Sequence, residues 1–177
     1  MPGAGILDSV GAFVEYSGAM GVEGTDRRVT LREVDAKNWR TCASLEVKDE
    51  QRGFVQPVSY YLALCHYGGI WHPLAIYHED EVVGFVMWAV DPSDNSGWIG
   101  GLTVPGPLQG RGFGRAAVKA LLRRLRDERG CTSAALSYTP ANVRARMLYA
   151  SLGFEQTGEF QDDEPVARRT LQAGRPL

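Results

Sequence analysis

The chain has 177 residues, 44% apolar and 23% charged, enough to bury a full core in one domain without splitting. A net charge of −2 gives no general attraction to nucleic acid, and no basic stripe interleaves with aromatics. Cys42, Cys65 and Cys131 are odd in number and lack metal-like spacing, which points to reduced thiols in a cytoplasm rather than a disulfide framework. In chain order, residues 1–27 read as an extension ahead of a single domain at 28–177. The extension holds several glycines, but also Ile6, Val10, Phe13 and Val14 at helical spacing. No basic segment precedes that pattern, and Asp8 and Glu15 interrupt it, so a signal peptide is not expected. Two readings stay open: a loosely ordered tail, or a short amphipathic helix packing on the domain or on a second subunit of a homodimer.

Residues 28–34 alternate as a first strand, after which Asp35 caps a helix reaching about Leu45. Lys48, Asp49 and Glu50 lead to a second helical piece over 58–66. Segments 74–78 and 81–90 form a hairpin over a turn at 78–80. A polar turn at 91–97 opens the strand 98–104, followed by a Pro-Gly-Pro turn at 105–107. Val118, Leu121, Leu122 and Leu125 mark a helix over 116–128. A strand at 133–138, a helix beginning near Asn142 and stopped by Gly153, and short strands at 155–160 and 166–171 complete a mixed α/β order. No run approaches the length of a membrane span, so no membrane partner is expected. His66, His72 and His78 have no adjoining carboxylate pattern, and no metal site is expected.

The most informative stretch is Gln109-Gly110-Arg111-Gly112-Phe113-Gly114-Arg115. Lying between a strand and a helix start, its glycines let backbone N–H groups approach an anion, and the helix dipole adds partial positive charge there. Arg111 and Arg115 add formal charge suited to a pyrophosphate. A dinucleotide fingerprint would need glycine where Arg115 stands, and no Gly-Lys-Ser/Thr ending is present. The stretch resembles the Gln/Arg-x-x-Gly-x-Gly/Ala loop of the GNAT family of N-acetyltransferases, matched by Gln109, Gly112 and Gly114. Downstream, Asn142, Ala145, Tyr149, Gly153 and Phe154 resemble the Asn-x-x-Ala-x-x-x-Tyr-x-x-x-Gly-Phe element of the same family. The two motifs stand in family order, and the resemblance covers about residues 28–171.

That resemblance implies the GNAT fold: a mixed central sheet with an antiparallel N-terminal half and a splayed parallel strand pair, flanked by helices. It implies acetyl-CoA as co-substrate, gripped by Gln109, Gly110, Arg111, Gly112, Phe113, Gly114, Arg115 and Asn142. The thioester would lie against Leu102, Thr103 and Val104, where a bulge splays the strand and frees backbone N–H groups. One such N–H facing the thioester oxygen would stabilise the charge that builds as an amine attacks. Tyr149 stands where the family places a tyrosine hydroxyl beside the sulfur, as the acid for the departing thiolate; its alternative is a half-buried aromatic that packs the helix. Relatives often carry a polar or acidic residue and then Arg before the Leu-x-Val; Gly100 and Gly101 here remove an obvious base and open space near the acetyl group. Glu46, Asp49 and Glu50 are the nearest alternatives, with Glu50 as the candidate base, against an ordinary solvated helix end.

Segments including Leu45 to Gln51 and Val83 to Met87 are similar to bacterial spermidine/diamine acetyltransferases. On that resemblance Glu46 and Glu50 would attract a polycation, and one or two of Trp71, Trp88 and Trp98 would wall the cleft, with Trp98 favoured. The expected activity is acetyl transfer to a primary amine of a small polar molecule, a polyamine among the candidates, by direct attack. Alternatives are a protein, peptide or antibiotic N-acetyltransferase, and a non-catalytic acetyl-CoA sensor, against which Tyr149 argues.

Overall fold

The computed structural model describes residues 28–172; the expected extension 1–27 lies outside the described residues. Seven strands form one sheet: β1 (Thr30–Glu33), β2 (His72–His78), β3 (Glu81–Asp91), β4 (Ser96–Thr103), β5 (Ser133–Ser137), β6 (Glu155–Gln161) and β7 (Glu164–Thr170). Their spatial order is β1-β2-β3-β4-β5-β7-β6. All neighbours run antiparallel except β4 and β5, which are parallel. This is the mixed sheet expected from the sequence, with an antiparallel first half and one parallel pair.

Strand periodicity distributes the core. Leu74, Ile76, Val86, Trp88 and Ile99 point to one face, where α3 (Phe113–Asp127) lays down Ala117, Val118, Leu121, Leu122 and Leu125. Each such leucine, fully removed from water, contributes about 1.5–3 kcal/mol. Ala75, Phe85 and Met87 point the other way, onto Cys42 of α1 (Trp39–Ala43) and Val58 of α2 (Val58–Tyr67). The last helix, α4 (Val143–Ser151), joins the α3 side through Tyr149.

Two helices depart from the sequence expectation. The segment 35–45 is helical only over Trp39–Ala43, because Asp35 builds a turn first. Its carboxylate accepts the N–H groups of Lys37 (2.8 Å) and Asn38 (3.1 Å), while Asn38 Oδ1 accepts the Asp35 N–H at 2.9 Å. Side chains that bond local backbone in this way compete with the helix. Conversely, α3 starts at Phe113 rather than 116: Gly112, at φ +87°, turns the chain directly into it.

Gly97 of β4 lies beneath α3, and a Cβ there would stand 2.7 Å and 2.8 Å from the two δ-carbons of Leu125. Gly97→Ala should therefore destabilise by about 1–3 kcal/mol through overpacking. Thermal unfolding should show this as a lower Tm, by roughly 2–4 °C for each kcal/mol; an unchanged Tm would mean the helix–sheet spacing is looser than the structure shows.

Candidate active site

The parallel pairing of β4 and β5 covers only Ser96↔Ser133, Gly97↔Ala134 and Trp98↔Ala135. Beyond it the strands part. On its other edge β4 carries a bulge: Met87 faces Gly100 and Phe85 faces Thr103, so three steps of β4 match two of β3. Gly101, at φ +60°, turns the chain there, and Thr103 Oγ1 donates to the Gly101 carbonyl at 3.1 Å. A cleft of about 560 Å³ fills the opening, with Ile99, Gly100, Gly101, Leu102 and Val104 on one wall and Ser137, Tyr138 and Thr139 on the other.

The glycine loop forms one end of this cleft. Gly110, Gly112, Phe113, Gly114 and Arg115 all line it, as do Asn142 and Tyr149; exposed Arg111 and buried Thr103 do not. In the first turn of α3 the amides of Gly114 and Arg115 have no intrahelical carbonyl to donate to, an arrangement suited to an anion. Gln109 organises the approach. Its Nε2 donates to the Val104 carbonyl (3.0 Å) and to Gln51 Oε1 (2.7 Å), while its Oε1 accepts from Gln51 Nε2 (3.1 Å) and Arg144 Nη1 (3.0 Å). Its side-chain amide thus ties strand, loop and the α1–α2 connection together. Asn142 likewise plays a structural part, since its Oδ1 accepts the Ala145 N–H at 3.1 Å and caps α4, a bond of a kind worth about 1 kcal/mol. Arg144, which also lines the cleft, carried no sequence signal beyond its position inside the second motif.

Tyr149 comes from α4 and stands 5.9 Å, ring to ring, from both Tyr138 and Phe154. Burial pushes its phenol above the ordinary value of 10.0, and Tyr61 and Glu164 nearby push the same way. The proton therefore stays on the oxygen, leaving a donor at the gap. Burial pushes the Cys42 and Cys65 thiols up to about 11, so both hold their protons at neutral pH.

At the other end of the cleft the geometry departs from two expectations. The space at Gly100 and Gly101 is not open. A Cβ on Gly100 would meet Met87 Cε at 2.9 Å and the Trp71 ring at 3.2 Å, and one on Gly101 would meet the Tyr61 ring at 3.1 Å. Those rings fill the volume, with Tyr61 stacked on Phe85 at 6.3 Å and 8°. Glu46 and Glu50 do not line the cleft. Glu46 pairs with Arg52 at 3.5 Å, and Glu50 is exposed in the short 3₁₀ turn Asp49–Gln51; what Glu46 supplies is its backbone carbonyl, which accepts the Gly106 N–H at 3.1 Å. Of the three tryptophans, Trp71 and Trp98 line the cleft, whereas Trp88 is buried in the core against His72, 4.6 Å away.

The carboxylate that does reach the cleft is Glu164, at the start of β7. It accepts hydrogen bonds from Ser137 Oγ (2.8 Å) and Thr139 Oγ1 (2.9 Å). Asp162-Asp163-Glu164 reads in sequence as a solvated turn, and nothing local announces that its last member folds inward.

Comparison with known proteins agrees with this geometry. The chain is 28% identical over 141 residues to the spermine/spermidine N(1)-acetyltransferase of Bacillus subtilis (strain 168), covering 75% of this chain and 91% of that protein. Its fold is similar to that of a spermidine N-acetyltransferase from Vibrio cholerae solved with CoA and spermine, with TM-score 0.64, 16% identity, and coverage of 81% of this chain and 94% of that one. It is also similar to that of an aminoglycoside acetyltransferase solved with coenzyme A and kanamycin, with TM-score 0.68, 20% identity, and coverage of 81% and 95%. The model of the acetyltransferase (GNAT) family matches residues 33–154, and with the split β4–β5 pair, the glycine loop and Tyr149 at the gap, the chain belongs to that family.

Proposed function

We propose that residues 28–177 act as one catalytic domain that transfers acetyl from acetyl-CoA to a primary amine of a small molecule. The observation that carries this reading is the parting of β4 from β5, with an anion-binding helix start at one end and a protonated tyrosine beside the gap. The pyrophosphate sits on the loop amides, with Arg115 and Arg144 as cationic neighbours. The pantetheine arm completes the interrupted sheet, and the thioester reaches the bulge at Gly101 and Leu102.

The amine attacks the thioester carbonyl carbon, so a C–N bond forms, and the C–S bond breaks as the intermediate collapses. A donor held at the developing oxyanion favours the transition state over the ground state. An alkylamine with a pKa near 10 must first lose a proton, which leaves to solvent. After attack the nitrogen surrenders a second proton, which replaces the one that Tyr149 delivers to the departing sulfur. The net products are the amide, the free thiol and one proton.

Among small amines, we favour a polyamine or diamine. The similarity to polyamine acetyltransferases supports this, as does a carboxylate, Glu164, inside the cleft. A compact monoamine is the second reading, favoured by the aromatic walls formed by Phe54, Tyr61, Trp71 and Trp98.

Three outcomes test these assignments. A Cβ on Gly114 would stand no closer than 3.8 Å to any atom outside its own stretch of helix, so Gly114→Ala should fold yet hold the phosphates away from the loop. Losing charge-assisted hydrogen bonds at roughly 1.5–3 kcal/mol each should weaken acetyl-CoA binding at least tenfold by calorimetry; equal affinity would remove the loop from the cofactor site. Tyr149→Phe should lower kcat roughly 10²–10⁴-fold with cofactor affinity retained. Because the phenol is raised above 10.0, it stays protonated below that pH, and the wild-type kcat profile should show no descending limb from it there. Finally, kcat/KM should rank spermidine above a diamine and both above an aromatic monoamine. That order should flatten as salt shortens the Debye length from about 10 Å at 0.1 M to about 3 Å at 1 M. A monoamine preference indifferent to salt would establish the second reading.

A further inference from the structure

We infer that Glu164 is the acceptor-anchoring carboxylate, which holds a cationic nitrogen of the acceptor other than the one that attacks. The inference rests on the small-amine reading above and narrows the acceptor to a molecule with at least two amines. Three observations carry it.

The first is charge. Among the described residues lining the cleft, Glu164 is the one carboxylate. Its hydrogen-bond donors are the neutral hydroxyls of Ser137 and Thr139. A partly buried carboxylate held by hydroxyls is oriented without being neutralised, so it keeps its attraction for a cation.

The second is placement. Arg115 and Arg144 line the same cleft at the glycine loop, and Ser137 and Thr139 lie beyond the last β4–β5 pair, Trp98↔Ala135. The cleft thus carries cationic side chains at the glycine loop and, beyond the last β4–β5 pair, a carboxylate held by Ser137 and Thr139. The surroundings of Glu164 also suit an alkylammonium: Tyr61 and Tyr149 both lie near enough for its charge to raise their phenols, and aromatic faces attract cations.

The third is rigidity. Thr139 Oγ1 also lies 3.5 Å from the Phe54 carbonyl, which seats the carboxylate against the α1–α2 connection that walls this end. An ammonium engaged by a fixed carboxylate is stabilised in its protonated form and cannot attack a carbonyl. The nucleophile must accordingly be a second amine on the same molecule, and Glu164 selects for its presence.

The test is calorimetric titration of spermidine and of n-butylamine into the full chain loaded with coenzyme A, as wild type, Glu164→Gln and Thr139→Val. Glu164→Gln should weaken spermidine by roughly tenfold or more and leave n-butylamine within about twofold. Thr139→Val retains the charge but loses one orienting hydroxyl, and should give a smaller loss confined to spermidine. Unchanged spermidine affinity in Glu164→Gln would overturn the proposal, as would equal losses for both amines, which would mark a residue that holds the attacking nitrogen or merely shapes the cleft. Should Glu164→Gln fail to fold, the absence of a spermidine-selective loss in Thr139→Val overturns it instead. Coenzyme A release by the wild type is measured separately: selective binding through Glu164 without turnover would sink the acetyltransferase reading and leave the anchor standing.

Discussion

A parallel strand pair that stops after three rungs is the constraint on which the rest of this molecule depends. Backbone N–H and C=O groups left unpaired inside a protein cost about 1–3 kcal/mol each unless water or a ligand satisfies them. Past Trp98 the edge of β4 that β5 leaves faces the cleft, where a ligand or water can satisfy it, and the bulge at Gly101 lies in that stretch. At φ +60° an ordinary side chain would be strained, and it would also strike Tyr61. Glycine there is required twice over, by backbone geometry and by the neighbouring ring.

Cross-ties outside the sheet fix the glycine loop at one end of the gap. The Gln51–Gln109 amide pair, the bond from Gln109 to the Val104 carbonyl, and the Gly106 N–H to Glu46 carbonyl bond join the α1–α2 connection to the glycine loop. Amides suit this joint because each offers both donor and acceptor. Arg144 and the Val104 carbonyl then fix which way the Gln109 amide faces: turned over, it would set its NH₂ against a guanidinium and its oxygen against a carbonyl.

What was legible in the sequence is what is local. The glycine loop, the helix after it and the Asn-to-Phe element at 142–154 announce themselves because turns and helix starts are written in consecutive residues. The antiparallel first half and the parallel pair followed from the sequence of elements together with the family resemblance. The acceptor end was misread because its parts come from far apart. Gly100 and Gly101 looked like missing side chains, whereas Tyr61 and Trp71, some 30–40 residues earlier in the numbering, occupy the volume. Glu46 and Glu50 looked close to the site in topology, but Arg52 engages Glu46 and Glu50 stays at the surface, while Glu164 arrives from the last hairpin. Asn142 illustrates a subtler limit: its motif position is visible, its duty as a helix cap is visible only in the bond to Ala145.

The opening in the sheet also governs traffic. Helices α3 and α4 cover one face and α1 and α2 the other, and residues from both layers line the cleft between β4 and β5. In the reaction proposed above, a thioester lodged between the strands would form the floor under the incoming amine. That floor would make the amine the second reactant to be seated.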